Sequence, residues 1–325
     1  MLHLSRQSIA VVGLSAALWA SDAAAQTQPV GTTGTADPPQ VLWRDPGPIA
    51  SRDLFWGLGT AARAPKGPFA FLEEKTSGTQ PKVVVSDING VTWDVKFGPE
   101  AHAEVAASRL VHALGYFTEE HYLVSAGRIE GVTDLDRARR HIHHSGAFSN
   151  ARFSRRGPDI VATDEEWTFR ENPFVGQKEL SGLLILMTML NNWDIRGEAN
   201  NDVVRATLPD GRQERRHFVG DLGATFGRMG GRMSGHSKWN LEDYESEGFI
   251  KKVENGVVHL DYDGIDSRMD RVPVEHARWF ASLVSQLTND QVRRAFEAAG
   301  ASAAEVDGFS KRFMEKVRQL EEAVR

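Results

Sequence analysis

Three short runs of apolar residues predict three consecutive β-strands early in the chain. The second run is rich in β-branched side chains, and the third alternates apolar and polar positions. The runs are PFAFLEEK at 68–75, PKVVVSD at 81–87 and VTWDVKFG at 91–98. Asn-Gly in the turn at 88–90 is the strongest short signal for a hairpin, so we expect the last two strands to pair. Along the third strand Lys96 falls on the polar face, opposite a face of Val, Trp and Phe.

Helical spacing replaces this alternation at Pro99, where we predict the start of a helix. The apolar positions recur every three or four residues, at Ala103, Ala106, Ala107, Leu110, Val111 and Leu114. Gly115 is expected to end the helix, because glycine is the residue most often found just past a helix C-terminus. The next run, YFTEEHYLVSAGRI at 116–129, returns to strand character.

Residues 130–178 have a weaker and more charged pattern. Two groups stand out there, the histidines His141, His143 and His144 and the arginines Arg152, Arg155 and Arg156. We interpret the histidines as part of a charged surface helix; the alternative is a metal site, since imidazole is a zinc ligand. We interpret the arginines as a solvated face; the alternative is binding of a phosphate or an acidic substrate.

The second half of the chain is predicted to consist of one hairpin among helices. Glu179–Leu190 predicts an apolar helix, and Asp202–Thr207 and Arg215–Val219 predict two strands around a Pro-Asp-Gly turn. A glycine-rich loop follows at 221–238, and Trp239 is expected to anchor it.

Three helices are predicted to close the chain. Two of them begin with capping boxes, in which Thr288 precedes Gln291 and Ser302 precedes Glu305. Their large apolar side chains are assigned to the core: Phe296, Phe309, Phe313 and Leu320.

The first 50 residues are predicted to lie outside the folded domain. Residues 1–25 have the pattern of a secretory signal peptide, with Arg6, an apolar stretch and small residues before Gln26. Residues 26–50 are rich in Thr, Gly, Pro and Gln, which is typical of a flexible leader. We therefore expect structure to begin near Ser51 and the protein to be exported to a periplasmic or extracellular space.

The composition of the 325-residue chain argues against some classes of function and some metal ligands. A net charge of −6 argues against electrostatic capture of nucleic acid. The apolar run at 181–190 is about half as long as a membrane-spanning helix. The sequence contains no cysteine, so a metal would be bound by oxygen or imidazole ligands.

Two sequence segments predict a site for nucleotide phosphates. Ser77–Gln80 lies in the turn between the first two strands, where small residues let backbone N–H groups approach phosphate oxygens; a plain tight turn is the alternative. Lys96 on the third strand is placed to reach the same phosphates. Its expected partner is Glu104 on the following helix, with Glu100 as the alternative.

Two further segments predict groups for phosphoryl transfer. Asp194 ends the buried helix, where an aspartate orients or deprotonates an acceptor hydroxyl, and Asn200 and Asn201 follow it as metal ligands. Asp221 in Gly-Asp-Leu-Gly is placed to hold magnesium. The alternatives are an Asx-rich turn at Asp194 and a capped turn at Asp221.

At these residues the chain resembles HipA-type serine/threonine kinases. SGTQPK at 77–82 and VKFG at 95–98 look like the phosphate turn and lysine strand of that family. NNWDIRGEANN at 191–201 and GDLG at 220–223 resemble the catalytic and metal loops of that family and of the secreted atypical kinases of the Fam20 group.

The resemblance implies a role for each matched residue. Ser77–Gln80 would bind phosphates, Lys96 the nucleotide, and Asp194 would be the catalytic aspartate. Asp221 would bind the metal together with Asn201 or Asn200. The sequence departs from the family at Ala199, where an asparagine is usual, so the two asparagines lie six and seven positions after Asp194.

Taken together, these patterns predict an α+β, two-lobed protein kinase-like fold with a small β-rich N-lobe at 51–126 and a mainly helical C-lobe at 127–325. The expected function is transfer of phosphate from ATP, with Mg²⁺ or Mn²⁺, to a hydroxyl of a protein, sugar or lipid. The alternative is a catalytically inactive pseudokinase that binds or scaffolds.

Overall fold

A computed structural model of the protein describes residues 37–76, 80–196, 201–230 and 235–325. The predicted signal peptide 1–25, the first part of the leader, and Ser77, Gly78, Thr79 and Asn200 lie outside the described residues. Pro38–Arg325 form one compact unit.

The first strand lies inside the segment that the sequence predicted to be a flexible leader. β1 (Gln40–Val41) pairs in parallel with Arg215 and Arg216. Ile49 is fully buried, and the side-chain amide of Gln291 donates a 2.8 Å hydrogen bond to its carbonyl. The leader prediction is therefore wrong from Gln40 onward, because distant residues supply the partners that this segment lacks locally.

A closed barrel of five strands follows. Its strands are β2 (Phe69–Lys75), β3 (Lys82–Ser86), β4 (Thr92–Phe97), β5 (Glu120–Glu130) and β6 (Ala147–Arg155). They are arranged in the order β2-β3-β4-β6-β5, and β2 closes the barrel by pairing in parallel with β5. The hairpin predicted at the Asn-Gly turn joins β3 and β4.

The barrel has its own apolar core, filled from alternating positions of its strands. Its fully buried side chains include Val83, Val85, Trp93, Val95, Phe97 and Phe153. α1 (Pro99–Ala113) leaves β4 directly and packs against β4, β5 and β6. The predicted lobe boundary after residue 126 is wrong, since β5 crosses it and β6 returns to the barrel.

The charged stretch after β5 is not helical around its histidines. A single 3-10 turn covers Ala138–Arg140, and Ile142 then bridges to Phe148. His141 stacks on Phe97 with ring centroids 5.5 Å apart. The predicted surface helix is wrong here, because His141 ends the 3-10 turn and Ile142 is held by its bridge to Phe148.

A second sheet lies beyond the barrel and carries the hairpin predicted from the sequence. After β7 (Ile160–Trp167) and α2 (Lys178–Met189), β8 (Asn201–Thr207) and β9 (Gln213–His217) form that hairpin. The strand order is β1-β9-β8-β7.

The rest of the chain is mainly helical, with one small sheet that the sequence did not predict. After α3 (Leu241–Ser246), the strands β10 (Ile250–Glu254), β11 (Val257–Leu260) and β12 (Arg271–Pro273) form that sheet. The closing helices are α4 (Val274–Val284), α5 (Asn289–Ala298) and α6 (Ala303–Ala323).

Both predicted capping boxes are present, one at the start of α5 and one at the start of α6. In each capping box, two residues three positions apart accept hydrogen bonds from backbone N–H groups that have no partner within the helix. In the described part of the chain, no helix combines the length and the apolar character that crossing a membrane requires.

The buried position of Ile49 generates a stability prediction. Replacement Ile49→Ala removes three buried carbons, and we expect a loss of about 2–4 kcal/mol in the free energy of unfolding. Ile88→Ala is the matched control, because Ile88 is 60% exposed and should cost far less. Urea denaturation of both variants measures the difference. Equal small losses would show that the segment around Ile49 is not packed.

His217 on β9 generates a pH prediction. It lies against Phe174 and Trp167, and burial, with Arg215 nearby, lowers its pKa to about 4. Between that value and its ordinary pKa of about 6.5 the unfolded chain binds the extra proton, so stability is complete above about pH 6.5 and falls as the pH drops towards 4. The expected loss from this group is on the order of 3 kcal/mol.

The variant His217→Phe keeps an aromatic ring and removes this titration. Denaturation at pH 7 and pH 4.5 should therefore show a smaller loss of stability in the variant than in the native chain. An identical pH dependence in both proteins would contradict the assignment.

Candidate functional site

The site begins where β4 turns into α1. Lys96 is the penultimate residue of β4 and is 6% exposed. Gly98, with φ +87°, makes the tight connection that starts the helix at the next residue, Pro99. The helix then presents Glu100 and Glu104, one turn apart, to the end of the strand.

Lys96 contacts both glutamates. Its Nζ lies 3.1 Å from Glu100 Oε2 and also donates to Glu104 Oε1. The sequence offered Glu104 and Glu100 as alternative partners, and the structure brings both to the lysine. A buried charge needs such partners, because desolvation without them is costly.

Two further cations extend these pairs. Arg152 on β6 is the cross-strand neighbour of Lys96, and its Nε lies 2.5 Å from Glu104 Oε2. Lys238 donates to Glu100 Oε1. We call the chain of contacts Lys238–Glu100–Lys96–Glu104–Arg152 the ion-pair network.

The position of Arg152 corrects the sequence interpretation of the arginine cluster. Arg152 is 7% exposed rather than part of a solvated face. Arg155 and Arg156 are also partly covered and paired, Arg155 with Glu120 and Arg156 with Glu119 and Asp202. In the FSNARFSR run of β6, Arg152 alternates with the core residues Ala151 and Phe153, so its burial comes from α1 and not from the strand pattern.

The ion-pair network keeps Glu104 ionised. Burial alone would raise its pKa, but Arg152 and Lys96 outweigh burial and lower the pKa of Glu104 to about 2. For Lys96 burial lowers the pKa, and Glu104 more than compensates, so that its pKa is raised. Both charges are therefore present over the whole physiological range.

Asp194 and Asp221 reach the same place from two loops of the second half of the chain. Asp194 follows α2, and its backbone N–H donates 2.8 Å to Asn192 Oδ1. The amide of Asn192 donates to the backbone carbonyl of Asp221 at 3.3 Å. Asn192 therefore fastens the two loops to each other.

The two aspartates face each other across the site. Burial and the neighbouring Asp221 raise the pKa of Asp194 to about 7. The pKa of Asp221 is also raised, mainly by burial, while Lys96 and Lys238 oppose the shift. Two close carboxylates favour holding a proton or a cation between them.

Asn201 lies beside this pair, at the start of β8. It is 3% exposed, and its Oδ1 accepts a 2.9 Å hydrogen bond from the backbone N–H of Gly220. In this arrangement the side chain of Asn201 orients the residue before Asp221. Asn200, the alternative from sequence, lies outside the described residues.

A cavity of about 600 Å³ connects these groups. Its lining includes the described candidates other than Asn201, together with Lys82 and Lys238: Gln80, Lys82, Lys96, Glu100, Glu104, Asp194, Asp221 and Lys238. Ser77, Gly78 and Thr79, which precede Gln80, lie outside the described residues. Glu119 and His121 also line the cavity and were not predicted from the sequence, whereas Arg156 was named there only as an alternative phosphate-binding residue.

Carboxylate oxygens at one side of the cavity are close enough to share a cation. Oxygens of Glu100, Glu104 and Asp221 lie within 4.8 Å of one another. An all-oxygen donor set suits a hard cation such as Mg²⁺ or Mn²⁺. Among the described residues, no group of this kind contains a histidine, so the metal alternative for His141, His143 and His144 has no support there.

Comparisons with known proteins assign no family to the chain. No family model and no curated protein matches it. Among the solved structures that match, two do so with 11% identity over 80% of this chain and 73% of theirs. They are the Golgi casein kinase, with a TM-score of 0.37, and the Golgi casein kinase with Mn/ADP bound, with a TM-score of 0.35.

The ion-pair network generates a prediction about Glu104. Replacement Glu104→Gln leaves Lys96 and Arg152 buried without their shared carboxylate, and we expect a loss of about 3 kcal/mol or more in the free energy of unfolding. The matched control is Asp94→Asn, which removes one carboxylate from a half-exposed pair with Lys75 and should cost about 1 kcal/mol or less. Urea denaturation at pH 7 measures both. Equal costs would contradict the assigned burial of the network.

Proposed function

We propose that this protein is a kinase-like phosphotransferase, which moves the terminal phosphoryl group of ATP to a hydroxyl acceptor. One observation carries the proposal: the Lys96–Glu104 pair, Asp194 and Asp221 line a single cavity although they come from four separate segments. A lysine held by a helix glutamate, a catalytic aspartate and a metal aspartate are the groups that phosphoryl transfer recruits.

Each residue has a distinct role in this proposal. Lys96 binds phosphate oxygens, with Glu104 holding its ammonium group in place. Ser77–Gln80 are the other proposed phosphate-binding residues. Asp194 orients the acceptor hydroxyl and takes its proton as the new bond to phosphorus forms.

Asp221 is the proposed ligand of Mg²⁺ or Mn²⁺, helped by Asn201 or Asn200 and by carboxylate oxygens of Glu100 and Glu104. The bound cation would neutralise charge on the phosphate oxygens. Positioning and electrostatics are what such a site supplies, since the protein itself forms no covalent bond to the nucleotide.

The finer features expected from the sequence remain part of the proposal. We propose a two-lobed arrangement with nucleotide between the lobes, and kinship with the HipA-type and Fam20 kinases. The pattern at 1–25 supports export to a periplasmic or extracellular location. The first choice of acceptor is a protein serine or threonine, with a sugar or lipid hydroxyl as the alternatives.

A pseudokinase is the second candidate, and two sets of contacts favour it. Asn201 Oδ1 is engaged by the backbone of Gly220, and the oxygens of Glu100 and Glu104 are engaged by Lys96, Lys238 and Arg152. A protein of this kind would use the cavity for binding without turnover.

Thermal denaturation with nucleotide tests the proposal. A ligand that binds only the native state raises its stability, so millimolar ATP with Mg²⁺ or Mn²⁺ should raise the Tm of the native chain. The variant Asp221→Asn should lose most of this shift and all turnover. Asparagine suits the backbone at this position, where φ is +39°.

Asp210→Asn is the matched control, because Asp210 lies in an exposed turn and pairs only locally with Arg212. Its Tm shift and its turnover should equal those of the native chain. A shift without turnover in the native chain would support the pseudokinase. Full turnover in Asp221→Asn, or no shift in the native chain, would sink the kinase proposal.

A further inference from the structure

Lys238 brings a third ammonium group to the cavity, from the loop that follows Asp221. Among the described residues its one ion pair is with Glu100 Oε1, and its Nζ lies 5.7 Å from the ring centroid of Trp193. Its side chain is 27% exposed, whereas that of Lys96 is 8% exposed. Lys238 therefore has freedom to change partners that Lys96 lacks.

The backbone around Lys238 is held on both sides. Before it, Ser237 N–H donates 3.1 Å to the carbonyl of Arg228. After it, the indole of Trp239 packs on Phe309 with ring centroids 4.8 Å apart, and Trp239 N–H donates to Thr225. These contacts fix the backbone on both sides of Lys238, so its side chain reaches the edge of the cavity from a fixed position.

The charges around Lys238 differ from those around the other cavity lysines. Lys238 is close enough to Asp194 and Asp221 to act on the pKa of both carboxyls. Lys96 is tied to Glu104, next to Arg152, and acts on the pKa of Asp221. Lys238 lines the same cavity as Asp194 and Asp221, and its charge acts on both the proposed proton acceptor and the proposed metal ligand.

We propose that Lys238 is a catalytic residue that leaves Glu100 and contacts the phosphoryl group during its transfer. This inference rests on the proposed kinase function. In the step, an acceptor oxygen bonds to the γ-phosphorus of ATP while the bond from that phosphorus to the β–γ bridging oxygen breaks. The bonding electron pair leaves with ADP, and the acceptor proton goes to Asp194.

The proposed contact explains why a partly exposed cation lies at the edge of the cavity. In the transition state, negative charge is carried by the equatorial phosphoryl oxygens and by the leaving oxygen. A positively charged donor beside them stabilises that charge. When Lys238 turns to the phosphoryl group, one oxygen of Glu100 also loses its partner and becomes available to the Glu100–Glu104–Asp221 set. An interaction made mainly in the transition state accelerates the reaction without tightening nucleotide binding.

The test compares Lys238→Met with the native chain in three measurements: ATP hydrolysis with water as acceptor, ADP–Mn²⁺ affinity, and ADP–Mn²⁺ affinity with aluminium fluoride as a mimic of the transferred group. We expect hydrolysis and the gain in affinity from aluminium fluoride each to fall about 100-fold. ADP–Mn²⁺ affinity should change less than about threefold.

Two control variants make the result specific. Lys251→Met removes an exposed lysine on β10 and should leave all three measurements unchanged. Lys238→Arg keeps the charge and should restore at least a tenth of native hydrolysis. If Lys238→Met does not fold, Lys238→Arg is measured in its place. Because arginine keeps the positive charge, the ADP–Mn²⁺ affinity of this variant should still rise when aluminium fluoride is added. The absence of that rise would overturn the role of Lys238.

The outcomes separate the two proposals. Native-like hydrolysis in Lys238→Met, or equal losses of ADP and ADP–aluminium fluoride affinity, would overturn the role of Lys238 and leave the kinase proposal standing. A native chain that neither binds ADP–Mn²⁺ nor hydrolyses ATP would overturn the kinase proposal and this inference with it.

Discussion

The buried carboxylate of Glu104 is the constraint on which the site depends. It draws Lys96 from β4 and Arg152 from β6 to one point on α1. Removing Glu104 would leave Arg152 without its carboxylate and Lys96 with Glu100 alone. The penalty for a desolvated charge without its partner is several times the value of a surface ion pair. The barrel and the helix are therefore held in one relative position, and Glu100 extends the same constraint to the loop that carries Lys238.

The two aspartates are positioned by hydrogen bonds. Asn191 and Asn192 follow α2, and their side-chain amides donate to the backbone carbonyls of Gly227 and Asp221 in the loop after β9. Beneath them Lys316 of α6 is fully buried and donates to Asn191 Oδ1 at 2.6 Å and to the Met189 carbonyl at 3.0 Å. The C-terminal helix thereby supports the loop that presents Asp194, which links residues far apart in sequence through the core.

Much of the fold and of the candidate site could be predicted from local sequence patterns. The Asn-Gly hairpin, α1 with its capping proline, and the capping boxes of α5 and α6 depend on neighbours within a few residues, so their patterns are visible in sequence. The same holds for the approach of Lys96 to Glu104, since a strand that runs directly into a helix leaves few geometries for side chains eight positions apart.

Long-range partners account for the predictions that were wrong. The segment at Gln40–Val41 has few apolar groups and becomes a strand only because β9 is present beside it. His141 ends a single 3-10 turn and does not lie in a longer helix, because the next residue, Ile142, bridges to Phe148. β10, β11 and β12 are short, and β10 and β12 bear charged residues, so their alternation is weak without the sheet that they form together.

The sequence by itself determined which residue types are available for chemistry: a cysteine-free chain with a strand lysine, helix glutamates and two loop aspartates. Tertiary structure alone decided that Arg152 is buried against Glu104, that Asp194 and Asp221 face each other, and that Lys238 completes the network. The physical reason is that spacing along the chain sets local geometry, whereas desolvation and charge pairing depend on which distant segments exclude water from the same place.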